Sequence, residues 1–245
     1  MMKKTRSILL AIGIVSQISD LCADQYLTDT PVPTDYEVVK INFASRVNHR
    51  EWSTSIRAPL VQLSIGLYPD VQGQFVGYGV SSIKKGQSTQ YGYGDIRVGF
   101  KYRFLHEAGT MPQVAFYPKF RLPTGGTSRG IGNTGALEKI PFWAQKSWGF
   151  WKLSGGGGYA FNQGPQKVDY AYGGALLRRD FGPSLTLGGE LYAQGTASPT
   201  NRARLILNFG GTYNFTKKYS LLFSAGHSIA GEKYLVAYLG FGLEM

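Results

Sequence analysis

Apolar and polar residues alternate along most of this chain, in stretches of roughly ten residues, the length of a membrane-spanning strand, that recur from Asp35 to Met245. In Asp95–Phe104, every second residue from Ile96 onward is apolar or aromatic, and the residues between are Asp, Arg, Gly or Lys. Because successive side chains of a β-strand point to opposite faces, this stretch predicts a strand with one apolar and one charged face. Such a pattern favours a transmembrane β-barrel, with the apolar face toward lipid and the polar face toward a wet lumen.

The alternation predicts an all-β protein, an up-and-down antiparallel barrel of about twelve strands. The predicted strands are Tyr36–Arg46, Ser55–Tyr68, Val71–Ser81, Tyr91–Phe104, Pro112–Leu122, Glu138–Trp148, Phe150–Asn162, Val168–Arg179, Ser184–Thr196, Asn201–Tyr213, Tyr219–Ile229 and Lys233–Met245. Tight turns such as Pro69-Asp70 and Asn214–Lys218 alternate with longer links, as expected when one rim is periplasmic and the other extracellular. A soluble lipocalin-like barrel, which buries its apolar face inside, is the alternative.

Composition supports strands in a membrane. Charged residues make up 17% of the chain, aromatic residues 14%, and there are 33 glycines, whereas about a quarter of a typical soluble protein is charged. No apolar run reaches the roughly 18 residues that a spanning helix needs. The tryptophans at positions 52, 143, 148 and 151 are expected in the aromatic girdles at the two membrane interfaces.

The first 34 residues differ from the rest. Three basic residues before Ser7 precede the apolar run Ile8–Val15, and small residues follow at Cys22-Ala23. This pattern predicts a secretory signal peptide over residues 1–23, cleaved after Ala23, with an uncleaved anchor and a lipidated Cys22 as alternatives. Residues 24–34 are expected to form a periplasmic lead-in, and residues 35–245 the barrel.

The formal net charge is +11, and it falls to +9 once the signal peptide, with three basic residues and one acidic residue, is removed. Nucleic acid is not the expected partner of an exported chain, so the charge is assigned to the lumen. Strand parity points seven basic and three acidic side chains inward: Arg97, Lys101, Arg103, Lys119, Arg121, Arg202 and Arg204, with Asp95, Glu190 and Glu244.

A basic lumen favours anionic solutes. A salt-bridge network that stiffens the wall is the alternative interpretation, and the two are compatible. The same parity places four tyrosines inside the lumen, where they would contact aromatic solutes: Tyr68, Tyr78, Tyr117 and Tyr192.

Other candidate chemistry is weaker. The glycine-rich link Pro123–Leu137 is expected either to fold over the mouth, where Arg129 would meet entering anions, or to be mobile; it has no Gly-Lys-Thr tail for binding phosphate. His49, with Glu51 and Ser53 nearby, is the best available triad for an outer-membrane lipase. No metal or other cofactor site is expected, and the protein is predicted not to be an enzyme.

Four segments carry a resemblance to a known family. They are Gly92–Phe104, Phe120–Gly125, Gly158–Asn162 and Leu187–Tyr192. In this order they resemble the transporter family named for the MetA pathway of phenol degradation, within the outer-membrane β-barrel superfamily. The resemblance implies an outer-membrane barrel and a channel for small, often aromatic compounds.

The last predicted strand alternates apolar residues up to Met245. It resembles the C-terminal signal of outer-membrane proteins, which implies contact with the barrel-assembly machinery. The chain is therefore predicted to be an outer-membrane channel that passes small anionic or aromatic solutes passively, in contact with lipid. A structural or adhesion barrel with a plugged lumen and an outer-membrane lipase or esterase are the alternatives.

Overall fold

The protein is all-β in a computed structural model that describes residues 25–84, 88–127 and 131–245. Of residues 81–84 it describes the backbone alone. Within these residues no helix is long and apolar enough to span a membrane. The strand segments are β1 (Val39–Arg50), β2 (Ser53–Tyr68), β3 (Val71–Lys84), β4 (Gln90–Tyr93), β5 (Arg97–Leu105), β6 (Gln113–Phe116), β7 (Lys119–Arg121), β8 (Leu137–Trp148), β9 (Trp151–Asn162), β10 (Tyr170–Asp180), β11 (Leu185–Gln194), β12 (Arg204–Asn214), β13 (Tyr219–Gly231) and β14 (Tyr234–Glu244).

These segments build a closed antiparallel barrel of 12 strands, as predicted. Each strand pairs with its neighbour in sequence, and β1 closes the barrel against β14 from Lys40↔Glu244 to Arg50↔Tyr234. Segments β4 and β5 both pair with β3, and β6 and β7 both lie between β5 and β8. Each of these two pairs is one wall strand with a break in it.

The two breaks divide strands that the alternation predicted as continuous. One lies at Gly94–Ile96, where the buried Asp95 carboxylate accepts hydrogen bonds from the Gly125 and Asn133 N–H groups of the following link. The other contains Pro118, which has no N–H to donate to a neighbouring strand. The Pro118 carbonyl still accepts a bond from the Phe100 N–H, so the wall continues across the break.

Apolar side chains lie on the outer face of the wall and polar side chains on the inner face, as predicted. Phe100 is 45% exposed on the outside, and its neighbour Lys101 is 2% exposed on the inside. Further polar side chains are buried within the barrel, among them Asn42, Gln62, Gln145, Ser154, Glu190 and Asn208. An apolar outer surface of this kind suits lipid. The alternative of a soluble barrel with an apolar interior is wrong, because the interior is lined by ionised and amide groups.

Short turns gather at one end of the barrel and longer links at the other. Tyr68–Val71 and Trp148–Trp151 are closed by tight turns, with Gly149 at φ 57° in the second. Met245 lies at this same end, where its carbonyl accepts the Val39 N–H. In outer-membrane barrels the short turns face the periplasm, and we call this the short-turn end.

The start of the described chain corrects one expectation. Residues 25–34 do not trail away from the barrel as a lead-in; they lie inside it, and we call them the lumenal segment. Contacts with β3, β5, β7, β11, β12 and β13 hold them there. The backbone polar groups of such an extended segment need partners, and the polar inner wall supplies them.

A charge on the outer face tests the assignment of that face to lipid. Phe209, in the middle of β12, is 61% exposed. Phe209→Arg is expected to lower the free energy of unfolding by about 2–4 kcal/mol, the cost of an arginine at the bilayer midplane. Denaturant unfolding from lipid vesicles measures the change, with Phe209→Leu as the control. An arginine variant as stable as the leucine variant would place this face in water.

Candidate functional site

The lumen contains a cavity of about 530 Å³ above the lumenal segment. Basic side chains from several strands and one link line it: Arg46, Arg50, Arg57, Arg97, Lys119, Arg121, Lys139, Lys167 and Arg204. Among the described residues, Asp29 of the lumenal segment is the one carboxylate in the lining. Tyrosines complete the wall: Tyr26, Tyr78, Tyr170, Tyr172, Tyr192 and Tyr234.

Cations stack on these tyrosines. The Arg57 and Arg97 guanidinium carbons lie 5.0 and 5.3 Å from the centroid of the Tyr78 ring. Arg204 lies 4.0 Å from the Tyr234 ring centroid. A positive charge over an aromatic face is attracted by the ring quadrupole, and the contact holds the long side chain in one orientation. The basic groups are therefore fixed against the wall of the cavity.

Lysines on neighbouring strands form a second group. Lys119 and Lys139 are direct partners in the register of β7 and β8. Lys119 Nζ lies 4.2 Å from the Tyr117 ring centroid, and Lys139 Nζ lies 4.3 Å from that of Tyr172. Like charges directly opposite each other repel. An anion near this pair relieves the repulsion, and the Asp29 carboxylate is such an anion, at 2.6 Å from Lys119 Nζ.

The lumenal segment is anchored mainly by the buried carboxylate of Glu190. The Leu27 N–H donates to Glu190 Oε1 at 2.8 Å, the Thr28 N–H donates to Oε2 at 2.7 Å, and Asn208 Nδ2 donates to Oε1 at 2.6 Å. Hydrogen bonds to an ionised acceptor are about twice as strong as neutral ones. Glu190 thus acts on the segment that fills the lower lumen.

Further contacts fix both ends of the lumenal segment. Lys101 Nζ donates to the Val32 carbonyl at 3.0 Å, and the Thr34 N–H donates to Gln72 Oε1 at 2.8 Å. At the other end, Ser224 Oγ donates to the Gln25 carbonyl. Lys101 and Gln72 pair in the register of β5 and β3 near the short-turn end. The segment therefore covers the lumen from this end up to the cavity.

The glycine-rich link folds toward the mouth. Asn133 Nδ2 donates to Asp95 Oδ2 at 2.6 Å, and Asn133 lines the cavity beside Arg121. Arg121 Nε lies 3.5 Å from the same carboxylate. In the next long link, burial lowers the pKa of Lys167, and the charges of Arg121 and Arg50 lower it further. Burial and the neighbouring positive charges therefore both disfavour the protonated form of Lys167.

The predicted site residues fall into three groups. Arg97, Lys119, Arg121, Arg204, Tyr78 and Tyr192 line the cavity. Lys101, Glu190 and Tyr117 are buried inside the barrel but do not line the cavity. The rest of the set does not reach it: Arg103, Arg202 and Tyr68 lie elsewhere, and Arg129 is outside the described residues.

Each of the three displaced residues lies outside the cavity lining for a different physical reason. Arg103 reaches the short-turn end, where its Nη2 lies 2.6 Å from Asp70 Oδ1. Arg202 is exposed because it lies in the link before β12. The regular strand alternation from which its inward position was predicted does not extend to this link. The expected lumenal position of Tyr68 is wrong: a register shift between Gly66 and Tyr68 breaks the alternation, and the side chain is 67% exposed.

Sequence reasoning missed part of the interior. Trp143, expected in an interfacial girdle, is fully buried and packs in the interior cluster with Tyr117, Tyr170 and Tyr172. On β8, Trp143 has the same parity as Lys139, which lines the cavity, so strand alternation placed the Trp143 side chain inside the barrel. Trp148 and Trp151, by contrast, are 54% and 42% exposed beside the turn at Gly149.

Each of the three histidines has a hydrogen-bond partner. His49 Nδ1 lies 2.8 Å from Thr54 Oγ1, His106 Nε2 lies 2.9 Å from Asp70 Oδ2, and His227 Nδ1 lies 3.0 Å from the Ser228 carbonyl. In the part of the chain that the structure describes, no group of three or more His, Cys, Asp or Glu side chains could hold a metal ion.

Solved structures share this fold. The COG4313 outer membrane channel from Pseudomonas putida F1 aligns with a TM-score of 0.69 and 14% identity, over 87% of this chain and 97% of that one. The NanC porin aligns at 0.58 and 8% identity, over 83% and 98%. The KdgM porin, solved in complex with disordered oligogalacturonate, aligns at 0.56 and 8% identity, over 82% and 98%.

The comparison with curated proteins gives no match. A family model, however, matches residues 38–243, which is nearly the whole barrel from the start of β1 to the end of β14. The chain is thus a 12-stranded barrel of the outer-membrane type, and it belongs to the family named for the MetA pathway of phenol degradation.

Proposed function

We propose that this protein is an outer-membrane channel for passive passage of small anionic solutes, aromatic carboxylates among them. The observation that carries the proposal is the lining of the cavity, where, among the described residues, basic side chains far outnumber carboxylates, of which Asp29 is the one present. Fixed positive charge in a narrow polar passage concentrates anions and repels cations. Family membership and the channels and porins of the same fold support the channel role.

Two carboxylates behind the lining reduce the positive charge without cancelling it. Asp95 lies near Arg121, and Glu232 lies 3.0 Å from Arg204 Nη1. Arg57, Arg97 and Lys139 also line the cavity, and they extend the basic surface around it. The tyrosine rings between these cations offer apolar contact to the ring of an aromatic acid.

Solute uptake tests the proposal. Purified protein in lipid vesicles is expected to admit benzoate faster than benzylammonium, both measured as uptake above that of protein-free vesicles. The two probes have similar size and opposite charge, so the order reports the field of the passage. Equal rates for both would refute the anion preference, and no uptake above that of protein-free vesicles would refute the channel.

A barrel with a plugged lumen is the second candidate. The lumenal segment favours it, because residues 25–34 fill the lower half of the lumen through bonds to Glu190, Lys101 and Gln72. Such a barrel would give no conductance in a planar bilayer. The cavity above the segment would then serve binding rather than passage. For the lipase alternative, His49 Nδ1 is paired with Thr54, which is not one of the predicted triad residues.

Export and assembly belong to the same proposal. A signal peptide over residues 1–23, which lie outside the described residues, would leave a mature chain that starts at Asp24, next to the lumenal segment. N-terminal sequencing of the membrane-extracted protein is expected to read Asp-Gln-Tyr. The apolar outer face of β14, with Leu239 58% and Phe241 42% exposed, is the proposed contact with the barrel-assembly machinery.

A further inference from the structure

We infer that the Asp29 carboxylate occupies the position of the solute anion, as a tethered competitor that an incoming carboxylate displaces from Lys119. The inference rests on the proposed function and deepens it, since it assigns the anion subsite and a means by which the chain regulates it.

The subsite carries two positive charges close together. Lys119 and Lys139 stand directly opposite each other on adjacent strands, each over a tyrosine ring. Two ammonium groups so placed need an anion between or beside them. Asp29 supplies it at 2.6 Å from Lys119 Nζ, and it is the one carboxylate among the described residues that line the cavity.

Asp29 reaches the subsite from a segment that other contacts anchor. Two residues earlier, the backbone of Leu27 is bonded to Glu190, and three residues later the Val32 carbonyl is bonded to Lys101. The backbone therefore stays in place without the Asp29 ion pair. Exchange of one carboxylate for another on Lys119 moves a single side chain and breaks no strand pairing.

The ion pair is accessible from the cavity. The Lys119 and Asp29 side chains retain 25% and 16% of their exposure, and both line the cavity. A partly exposed ion pair is weakened by water and by competing ions. A solute carboxylate that enters the cavity can therefore take the place of Asp29, whose carboxylate then becomes hydrated in the cavity.

Asp29→Asn tests the inference, because asparagine keeps the size of the side chain and removes the competing charge. Calorimetric titration of the folded, detergent-purified protein with benzoate is expected to show affinity at least about threefold higher than wild type, the effect of removing a close opposing charge in a partly hydrated site. Asp180→Asn is the matched control. It removes a carboxylate that pairs with a lysine at 3.2 Å, but at the short-turn end and outside the cavity.

A double variant isolates the pair. In a Lys119→Gln background, Asp29→Asn is expected to leave benzoate affinity unchanged, because the shared cation is gone. Heat-modifiable migration on gels checks that each barrel is folded, and Asp29→Ser replaces Asp29→Asn if the amide variant does not fold. Unchanged or weaker binding by the folded position-29 variant overturns the inference. Tighter binding together with no solute uptake supports the subsite and refutes only the channel.

Discussion

Glu190→Gln is expected to unseat the lumenal segment and open the passage. The wild-type carboxylate accepts the Leu27 and Thr28 N–H groups and the Asn208 side chain. An amide has one acceptor oxygen, and its NH₂ group would face these donors. A hydrogen bond to a charged group contributes about 1.5–3 kcal/mol, so the loss of one bond shifts the equilibrium between the seated and the unseated segment about tenfold or more toward the unseated state.

Single-channel recording in planar bilayers measures this change. The variant is expected to spend at least about ten times longer than wild type in a higher-conductance level, following the same relation between free energy and population. Glu51→Gln, an exposed carboxylate in the link between β1 and β2, is the matched control and should resemble wild type. Identical records from Glu190→Gln and wild type would mean that the segment does not limit the current.

The structure offers an independent way to unseat the same segment. A Cβ at Gly174 on β10 would overlap Thr28 Oγ1, so Gly174→Ala is expected to give the same high-conductance level. Gly155→Ala, on the neighbouring strand, meets nothing closer than 3.5 Å and serves as its control. Agreement between Gly174→Ala and Glu190→Gln would assign the effect to the segment rather than to one lost charge.

Loss of three lining cations is expected to weaken the anion preference strongly. Arg57, Arg97 and Lys139 all line the cavity, and replacing them by glutamine leaves the ion pairs of Lys119, Arg121 and Arg204 intact. Charge in a low-dielectric passage changes the local concentration of ions by factors of about ten or more. The ratio of benzoate to benzylammonium uptake should therefore fall at least about tenfold in vesicles.

A charge-matched control separates local from global effects. Arg202, Lys217 and Lys233 are exposed and lie outside the cavity lining. Their triple replacement by glutamine lowers the net charge by the same amount and is expected to preserve the uptake ratio. If both triple variants lost the preference equally, the overall charge of the protein, and not the lumen, would be its origin.

The barrel and the direction of its faces could be predicted from the sequence because alternation alone determines them. Phe100 and Lys101 are neighbours with opposite environments, and the same rule places Arg97, Lys119 and Arg204 in the lining. Parity fails where the backbone departs from regular pairing. Tyr68 follows a register shift, and no pattern of apolar and polar residues marks such a shift in advance.

The lumenal segment could not be predicted by the same rule. Residues 25–34 are not a strand, and their position depends on contacts with distant residues such as Glu190 and Lys101. Trp143 shows a different failure: its parity pointed inward, but residue type suggested an interfacial girdle. On β8, parity was the better guide, because each side chain on a paired strand must follow the pleat.

The most direct test of an anion-selective lumen is the reversal potential of the wild-type channel in a steep KCl gradient across a planar bilayer. The basic lining of the cavity predicts a reversal potential with the sign of the chloride equilibrium potential. A value with the sign of the potassium equilibrium potential would contradict the proposed function.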